Sequence, residues 1–399
     1  MLAQLSPGIR QYLIVTGNYW AFTLTDGALR MLVVLYFHQL GYNALEVALL
    51  FVFYEFFGVV TNLVGGYLGA RFGLNRTMNV GLGLQIFALA MLLVPAEWLT
   101  VLWVMVAQAF SGIAKDLNKM SAKSTIKLLV PDQQQGQLYR WVAILTGSKN
   151  TLKGVGFFLG GLLLTLLGFQ GAVLAMAVML TLVWLASLIL LNKDAGKAKA
   201  KPKFSDLLSK SPAINNLSLA RFFLFGARDV WFVVALPVFL ASQLKWSSWQ
   251  VGSFLALWVI GYGFVQSLAP RLTKSGVARQ QAVMWNFVLA LSPLLLALAL
   301  WQSAPIAASI MLGLGVFGVL FAVNSALHSY LIVAYARADG VSLDVGFYYM
   351  ANAGGRLIGT LLSGWVYLNL GFIACLLVSA VMLALATITI RFLPEREST

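Results

Sequence analysis

The chain has 399 residues, of which 60% are hydrophobic and only 10% are charged, and its formal net charge is +14 at pH 7. A soluble domain has about 25% charged residues, so this composition excludes an ordinary soluble protein and predicts a multi-pass membrane protein. The single cysteine, Cys375, excludes an intrachain disulfide.

Twelve apolar stretches follow one another along the chain, each long enough to cross a hydrocarbon layer of about 30 Å as a helix. One substantial polar stretch separates the sixth from the seventh. We therefore predict an all-α polytopic membrane protein with an N-terminal six-helix bundle (1–191), a basic cytoplasmic linker (192–212) and a C-terminal six-helix bundle (213–399). The predicted spans are 11–38, 44–70, 77–95, 98–122, 137–167, 171–191, 213–242, 248–269, 280–301, 305–335, 342–368 and 372–392.

The Lys and Arg residues outside the spans are concentrated on one predicted side of the membrane. Only Lys245 falls in a loop on the opposite side, so the positive-inside rule places both termini in the cytoplasm. The linker lysines are expected to face membrane lipids, since basic residues beside a span bind anionic headgroups. Because topology accounts for the loop charge, the net charge does not indicate a nucleic-acid partner.

Nine basic and four acidic residues are predicted to lie at membrane depth, a formal excess of +5 that topology does not explain. This count includes Lys123, one residue beyond the fourth span, and leaves out Glu46, Arg140, Asp344 and Arg391 at the span ends. An ionisable side chain at membrane depth is energetically costly, so each one is a functional candidate. The basic residues are Arg30, Lys115, Lys119, Lys123, Lys149, Lys153, Arg221, Arg228 and Arg356, and the acidic residues are Asp26, Glu55, Asp116 and Asp229.

Arg30 and Arg228 lie near the middle of the first and seventh predicted spans. A guanidinium facing lipid at that depth would be very costly, so each must face a carboxylate or a cavity inside the bundle. Guanidinium groups bind tetrahedral oxyanions bidentately, so we predict that these two arginines bind substrate. The alternative is pairing with the carboxylates of their own helices, Asp26 and Asp229.

Two stretches containing lysines lie in the fourth and fifth spans. Lys115 and Lys119 are four residues apart, as are Lys149 and Lys153, so each pair lies on one helix face. Lysine is a movable point charge, and a site with both lysines and arginines suits an anion with more than one charged end. These four lysines and Arg356 are therefore predicted to bind substrate as well.

For four further charged residues we expect a role within their own span. Asp116 can neutralise only one of the neighbouring lysines. Lys123 and Lys127 are expected to mark the cytoplasmic exit of the fourth span and to snorkel there. Arg221 is expected to lie at the inner end of the seventh span.

Glu55 is alone in the second span, where it is either a proton-coupling carboxylate or the partner of a lysine. Asn118, Asn324 and His328 are candidate cavity-lining residues, although His328 is equally expected to be a core histidine bonded to a neighbour.

The glycines of 313–318 spell GxGxxG inside an apolar span, which indicates helix packing. The sequence has no zinc motif, P-loop or nucleophile elbow, so we expect neither an enzyme nor a cofactor.

The two halves resemble each other in sequence. GALR at 27–30 matches GAR at 226–228, and LLGF at 166–169 matches NLGF at 369–372. These matches pair Arg30 with Arg228 and Lys153 with Arg356. Two parallel six-span repeats resemble the major facilitator superfamily.

The loop at 66–76, GYLGARFGLNR, resembles the signature that this superfamily carries between its second and third spans. Gly66, Arg71, Gly73 and Arg76 match the signature. Ala70 replaces the aspartate that the superfamily uses for a charge relay, so gating is expected to depend on other contacts. The superfamily's organophosphate/phosphate exchangers also place one arginine on each of the first and seventh spans, which face each other across a central cavity.

Four stretches, 17–35, 111–124, 145–158 and 224–237, resemble the organoarsenical efflux permeases (ArsJ type) of arsenic-resistance operons. This resemblance implies a monomer in the bacterial inner membrane that exports 1-arseno-3-phosphoglycerate and confers arsenate resistance. Its functional partner would be the glyceraldehyde-3-phosphate dehydrogenase that makes this anion from arsenate. The alternatives are an exchanger of ordinary organophosphates, a non-transporting sensor or assembly factor, and a membrane enzyme.

Overall fold

The computed structural model describes residues 7–41, 50–129, 134–192, 196–198, 211–246, 248–273, 278–302 and 304–394, and most of the predicted linker lies outside these ranges. The regular structure in these residues is helical, which confirms the predicted all-α class. The helices are α1 (Pro7–Gln39), α2 (Val52–Phe72), α3 (Leu74–Met91), α4 (Val101–Leu129), α5 (Gln135–Leu190), α6 (Pro212–Phe232), α7 (Ala235–Gln243), α8 (Ser248–Leu272), α9 (Ala278–Trp301), α10 (Ile306–Tyr335) and α11 (Val341–Arg391), with a short 3₁₀ turn at Ala96–Trp98.

Two helices are much longer than a membrane is thick, and each is interrupted at a glycine. α5 has 56 residues and α11 has 51, whereas about 20 suffice to cross the hydrocarbon layer. Gly168 in α5 (φ 66°) and Gly371 in α11 (φ 80°) adopt the left-handed conformation that glycine tolerates best. Both glycines lie in the matching LLGF and NLGF motifs, so each long helix contains two of the predicted spans.

The helices account for the twelve predicted spans. α6 and α7 together form the seventh span, and α5 and α11 contribute two spans each. Among the described residues, seven helical stretches are long and apolar enough to cross a membrane by length and composition. Large apolar side chains remain exposed along these helices, such as Leu368, which is 83% exposed. Such exposure is expected of helices that face hydrocarbon.

The chain forms two compact units. The first comprises Met1–Pro131, Ser148–Ser209 and Ala336–Met350, and the second comprises Asp132–Gly147, Lys210–Tyr335 and Ala351–Thr399. These units follow the two sequence halves except at two places. The beginning of α5 belongs to the second unit, and the beginning of α11 belongs to the first.

Within the first unit, the beginning of α11 packs closely on α2. A methyl group added at Gly66 would lie 2.5 Å from the carbonyl oxygen of Ser342, and one added at Gly346 would lie 2.6 Å from that of Asn62. The Ser342 hydroxyl donates a hydrogen bond to the Gly66 carbonyl at 2.8 Å. The signature glycine Gly66 is therefore needed for close approach of the two helices, because any larger residue would displace α11.

Within the second unit, the beginning of α5 packs on α8 and α10. Gly147 leaves no room for a side chain beside Gly263 and Ser267 of α8. The Tyr139 and Thr273 hydroxyls lie 2.5 Å apart, and the Tyr330 hydroxyl donates to Gln135 at 3.0 Å. The repeat relates α5 to α11 and α8 to α2, so this contact corresponds to the one made by Gly66.

The core of the second unit is aromatic. Trp231 of α6 is fully buried and packs edge-on against Phe317 of α10, with ring centroids 4.9 Å apart. Phe321 stacks on Phe317 one turn later. This packing fixes α6, which carries Arg221, Arg228 and Asp229, against α10.

Candidate functional site

In the first unit, the charged residues of α1, α2 and α4 surround Tyr54, a residue that was not predicted from the sequence. The Arg30 guanidinium carbon lies 5.3 Å from the Tyr54 ring centroid, and the Lys115 ammonium lies 3.8 Å from it. The Tyr54 hydroxyl donates to Asp26 at 2.7 Å. A buried aromatic face with two cations beside it stabilises both of them without neutralising either.

The carboxylate that pairs with Arg30 is Glu55. Both terminal nitrogens of Arg30 lie 3.5 Å from Glu55 Oε1, which is longer than the roughly 2.7–2.9 Å of a strong charge-assisted hydrogen bond. The Glu55 side chain is 35% exposed and that of Arg30 is 29% exposed. Glu55 therefore pairs with an arginine in the structure, and its role in proton coupling stays a prediction.

Asp116 holds two lysines of α4. Its Oδ1 lies 2.5 Å from the Lys119 ammonium, and its Oδ2 lies 3.9 Å from that of Lys115. The Asp116 side chain is only 1% exposed, and a buried carboxylate needs close cations to offset its desolvation. One carboxylate between two lysines leaves an excess of one positive charge at this point.

Tyr349 of α11 extends this cluster along α4. Its ring centroid lies 4.8 Å from the Lys119 ammonium and 4.7 Å from that of Lys123, and its hydroxyl accepts a hydrogen bond from Lys123. Lys123 is 3% exposed and Lys127 is 7% exposed, so the prediction that they snorkel is wrong. Lys123 is buried because α11, more than 200 residues later in the chain, supplies a hydrogen-bond acceptor for it.

Lys149 and Lys153 lie on the part of α5 that packs against α1. A methyl group at Gly27 would lie 2.7 Å from the Lys153 carbonyl oxygen, and one at Gly156 would lie 2.7 Å from that of Leu24. Both lysines are half-buried. Small residues thus bring the α5 backbone next to the turn of α1 that precedes Arg30.

In the second unit, the buried Asp229 holds two arginines from different helices. Its Oδ1 accepts from the Arg228 Nε at 2.6 Å, and its Oδ2 accepts from the Arg356 Nε at 3.1 Å. Asp229 is fully buried, whereas the Arg356 side chain is 35% exposed. Local pairing of Arg228 with Asp229, one of the two alternatives, therefore occurs, but the carboxylate is shared with α11.

A third arginine joins this cluster through Phe225. The guanidinium carbons of Arg221 and Arg228 lie 3.9 Å and 4.9 Å from the Phe225 ring centroid. Arg221 also donates from Nε to Asn352 at 2.9 Å. It is almost fully buried and is a member of the cluster. Its expected place at the inner end of the span stays a prediction.

The three candidate cavity-lining residues are fully buried in helix contacts. The Asn118 amide donates to the Ala114 carbonyl at 2.9 Å, and the Asn324 amide donates to the Leu320 and Trp285 carbonyls at the same distance. Neither ring nitrogen of His328 has a hydrogen-bond partner among the described residues. Their role in lining a cavity stays a prediction.

The charged residues thus form two groups, one in each unit. The first-unit cluster consists of Asp26, Arg30, Tyr54, Glu55, Lys115, Asp116, Lys119, Lys123 and Tyr349, and the second-unit cluster consists of Arg221, Phe225, Arg228, Asp229 and Arg356. Each cluster contains more cations than carboxylates and is suited to bind an anion.

Three aromatic members of these clusters were not predicted from the sequence. The sequence pattern could have indicated Phe225, because this residue lies between Arg221 and Arg228 at helical spacing and so shares a helix face with both. The sequence indication for Tyr54 is weaker, since its one distinguishing feature is that it directly precedes Glu55. Tyr349 has no charged residue within four positions on either side, so nothing local distinguishes it from other aromatic residues of its span.

A comparison with protein-family models identifies one family. A model described as Major Facilitator Superfamily matches residues 15–328 and 217–399. No curated protein matches the sequence significantly.

Three solved structures have similar folds. The human organic anion transporter MFSD10 (TETRAN) has a TM-score of 0.78 at 16% identity, covering 97% of this chain and 100% of its own. The fucose:proton symporter FucP of E. coli has a TM-score of 0.75 at 14% identity, covering 98% and 100%. A bacterial homologue of the iron transporter ferroportin, in its outward-facing state, has a TM-score of 0.74 at 13% identity, covering 95% and 98%.

These structural likenesses show the fold alone, because the identities are low. The family match spans nearly the whole chain. The chain therefore belongs to the major facilitator superfamily and is a multi-pass membrane transporter.

Proposed function

We propose that the protein exports an organic oxyanion, 1-arseno-3-phosphoglycerate, by alternating access, and that it thereby confers resistance to arsenate. The observation that carries the proposal is the excess of embedded cations over carboxylates in both clusters. The second-unit cluster has three arginines and one carboxylate among the described residues. Arg228 and Arg356 bond to Asp229, and Arg221 contacts Phe225. Excess charge in a low-dielectric interior is costly, so an anion that enters the cluster lowers its energy.

The geometry of the arginines favours an oxyanion over a halide. A guanidinium offers parallel N–H donors that match two oxygens of a phosphate or arsenate. At 3.5 Å from Glu55, Arg30 is held only loosely, so its donors can turn to a substrate at small cost. Arg356 is also accessible, with 35% of its side chain exposed.

The lysines of the first-unit cluster favour a substrate with a second anionic group. Lys115 and Lys119 share Asp116, which leaves one positive charge in excess. A substrate with an arsenate group at one end and a phosphate at the other has the charge that this arrangement favours. The likeness in fold to the human organic anion transporter MFSD10 is consistent with this class of substrate. The choice of the arsenical and the direction of transport come from the resemblance to the organoarsenical efflux permeases.

The test is arsenic accumulation in arsenate-sensitive cells that express the protein together with a glyceraldehyde-3-phosphate dehydrogenase. Cells with both proteins should accumulate less arsenic from arsenate and grow at higher arsenate than cells with the dehydrogenase alone. The double variant Arg30→Ala, Arg228→Ala should abolish the protection, whereas Arg391→Ala, at the exposed end of α11, should not. No protection by the wild type, or equal protection by the double variant, would overturn the proposal.

A second candidate is exchange of ordinary organophosphates. It is favoured by the same arginines, since phosphate and arsenate groups accept hydrogen bonds from a guanidinium in the same geometry. Counterflow of glycerol 3-phosphate into proteoliposomes, in the absence of arsenate, would support this candidate over the export of an arsenical.

A further inference from the structure

Tyr349 contacts two lysines of α4, Lys119 and Lys123, which belong to the first-unit cluster. Its ring is within 5 Å of both ammonium groups, and its hydroxyl accepts a hydrogen bond from Lys123. The tyrosine is 3% exposed, so this contact is shielded from competing solvent. Lys119 has Asp116 as a second partner at 2.5 Å, but that carboxylate is shared with Lys115.

We propose that Tyr349 occupies the lysine part of the substrate site when no anion is bound, and that the incoming oxyanion displaces its hydroxyl from Lys123. This inference rests on the proposed function and adds a residue that sets the affinity of the site for its anionic substrate. A neutral phenol satisfies a buried ammonium, but it binds one less tightly than an ionised oxygen does. Tyr349 therefore stabilises the lysines in the empty site, yet an oxyanion can replace it. A carboxylate in its place would compete with the substrate much more strongly.

The position of Tyr349 on α11 connects this exchange to the packing of the helix. Ser342, Gly346 and Tyr349 are four and three residues apart, so they lie on one face of α11. Ser342 bonds to the Gly66 carbonyl, and Gly346 packs against Gly66 and Asn62. Tyr349 adds a contact with α4 within the first unit. Displacing Tyr349 removes one of the contacts that hold the beginning of α11 on α2 and α4.

The experiment compares anion affinity and turnover in the purified full-length protein. The probe is 3-phosphoglycerate, with Kd measured by titration calorimetry and transport measured in proteoliposomes. Tyr349→Phe keeps the ring but removes an acceptor for Lys123, which frees one charged donor for the anion. We expect the Kd to fall about tenfold and turnover to fall as well, because release becomes slower. Tyr367→Phe removes a hydroxyl from the same helix outside the cluster and should change neither value.

A double-mutant cycle separates competition from a merely structural role. In a Lys123→Gln background, Tyr349→Phe should no longer tighten binding, because the competing hydrogen bond is already absent. If the wild type binds 3-phosphoglycerate and Tyr349→Phe binds it equally or more weakly, the inference is overturned while the proposed function stands. If neither protein binds the probe, the inference is overturned, and the arsenic accumulation assay decides the proposed function. Binding by Tyr349→Phe alone would support the inference.

Discussion

Asp229 and Glu55 differ in how much each carboxylate contributes to the stability of the folded protein by pairing with the surrounding cations. Asp229 is fully buried and is the carboxylate for both Arg228 and Arg356, whereas Glu55 is one-third exposed and lies 3.5 Å from Arg30. Removing a buried partner leaves an uncompensated charge, which costs about 3–5 kcal/mol, while an exposed pair is worth at most about 1 kcal/mol. Asp229→Asn should therefore lower the thermal unfolding temperature far more than Glu55→Gln. Similar losses in the two variants would contradict this account.

Tyr54 has two separable parts, a ring that faces two cations and a hydroxyl that bonds to Asp26. Tyr54→Leu removes the ring and should weaken binding of 3-phosphoglycerate several-fold, because Arg30 and Lys115 lose a contact worth about 1–2 kcal/mol. Tyr54→Phe keeps the ring and should retain most of the affinity. Titration calorimetry of the two variants measures the difference. If Tyr54→Phe loses as much affinity as Tyr54→Leu, the hydroxyl is the more important part.

Among the helix contacts, the crossing of α2 and α11 offers a test with a matched control. Gly66→Ala would place a methyl group 2.5 Å from the Ser342 carbonyl oxygen, so the beginning of α11 must move. Such overpacking costs about 1–3 kcal/mol, and we expect a lower unfolding temperature and reduced transport. Gly364→Ala lies on the same helix α11 and meets nothing within 4 Å. Normal transport by Gly66→Ala would show that this close contact is not needed.

The charged residues of α4 show why a helix can be placed by sequence while its contacts cannot. The four-residue spacing of Lys115, Lys119 and Lys123 correctly predicts one helix face. The spacing is the same for all three, yet Asp116 holds the first two and Tyr349 holds the third. A lysine near the end of a predicted span is expected to snorkel. Lys123 does not, because a partner for it comes from a helix distant in the chain.

Across the whole protein, excess embedded positive charge should make stability depend on bound anions. A ligand that binds only the folded state stabilises it by about 2.7 kcal/mol at one hundred times its Kd. We therefore expect 3-phosphoglycerate to raise the unfolding temperature of the purified protein in a concentration-dependent way, and glycerol at the same concentrations to have no such effect. The Arg228→Ala variant should show a smaller shift. Equal shifts with the anion and with glycerol would indicate a solvent effect rather than binding.

The all-α class, the order of the spans, the breaks between spans near Gly168 and Gly371 and the presence of embedded cations could all be predicted from the sequence. These features follow from hydropathy, glycine and charge, which are properties of short stretches of chain. Which groups meet is a property of the folded chain: Arg30 with Glu55, Asp229 with Arg356, and Lys123 with Tyr349. An aromatic residue in an apolar span has the same local pattern whether it packs on leucine or on an ammonium group. The difference lies in the neighbouring helix, because the energy of a buried charge depends on every group that surrounds it.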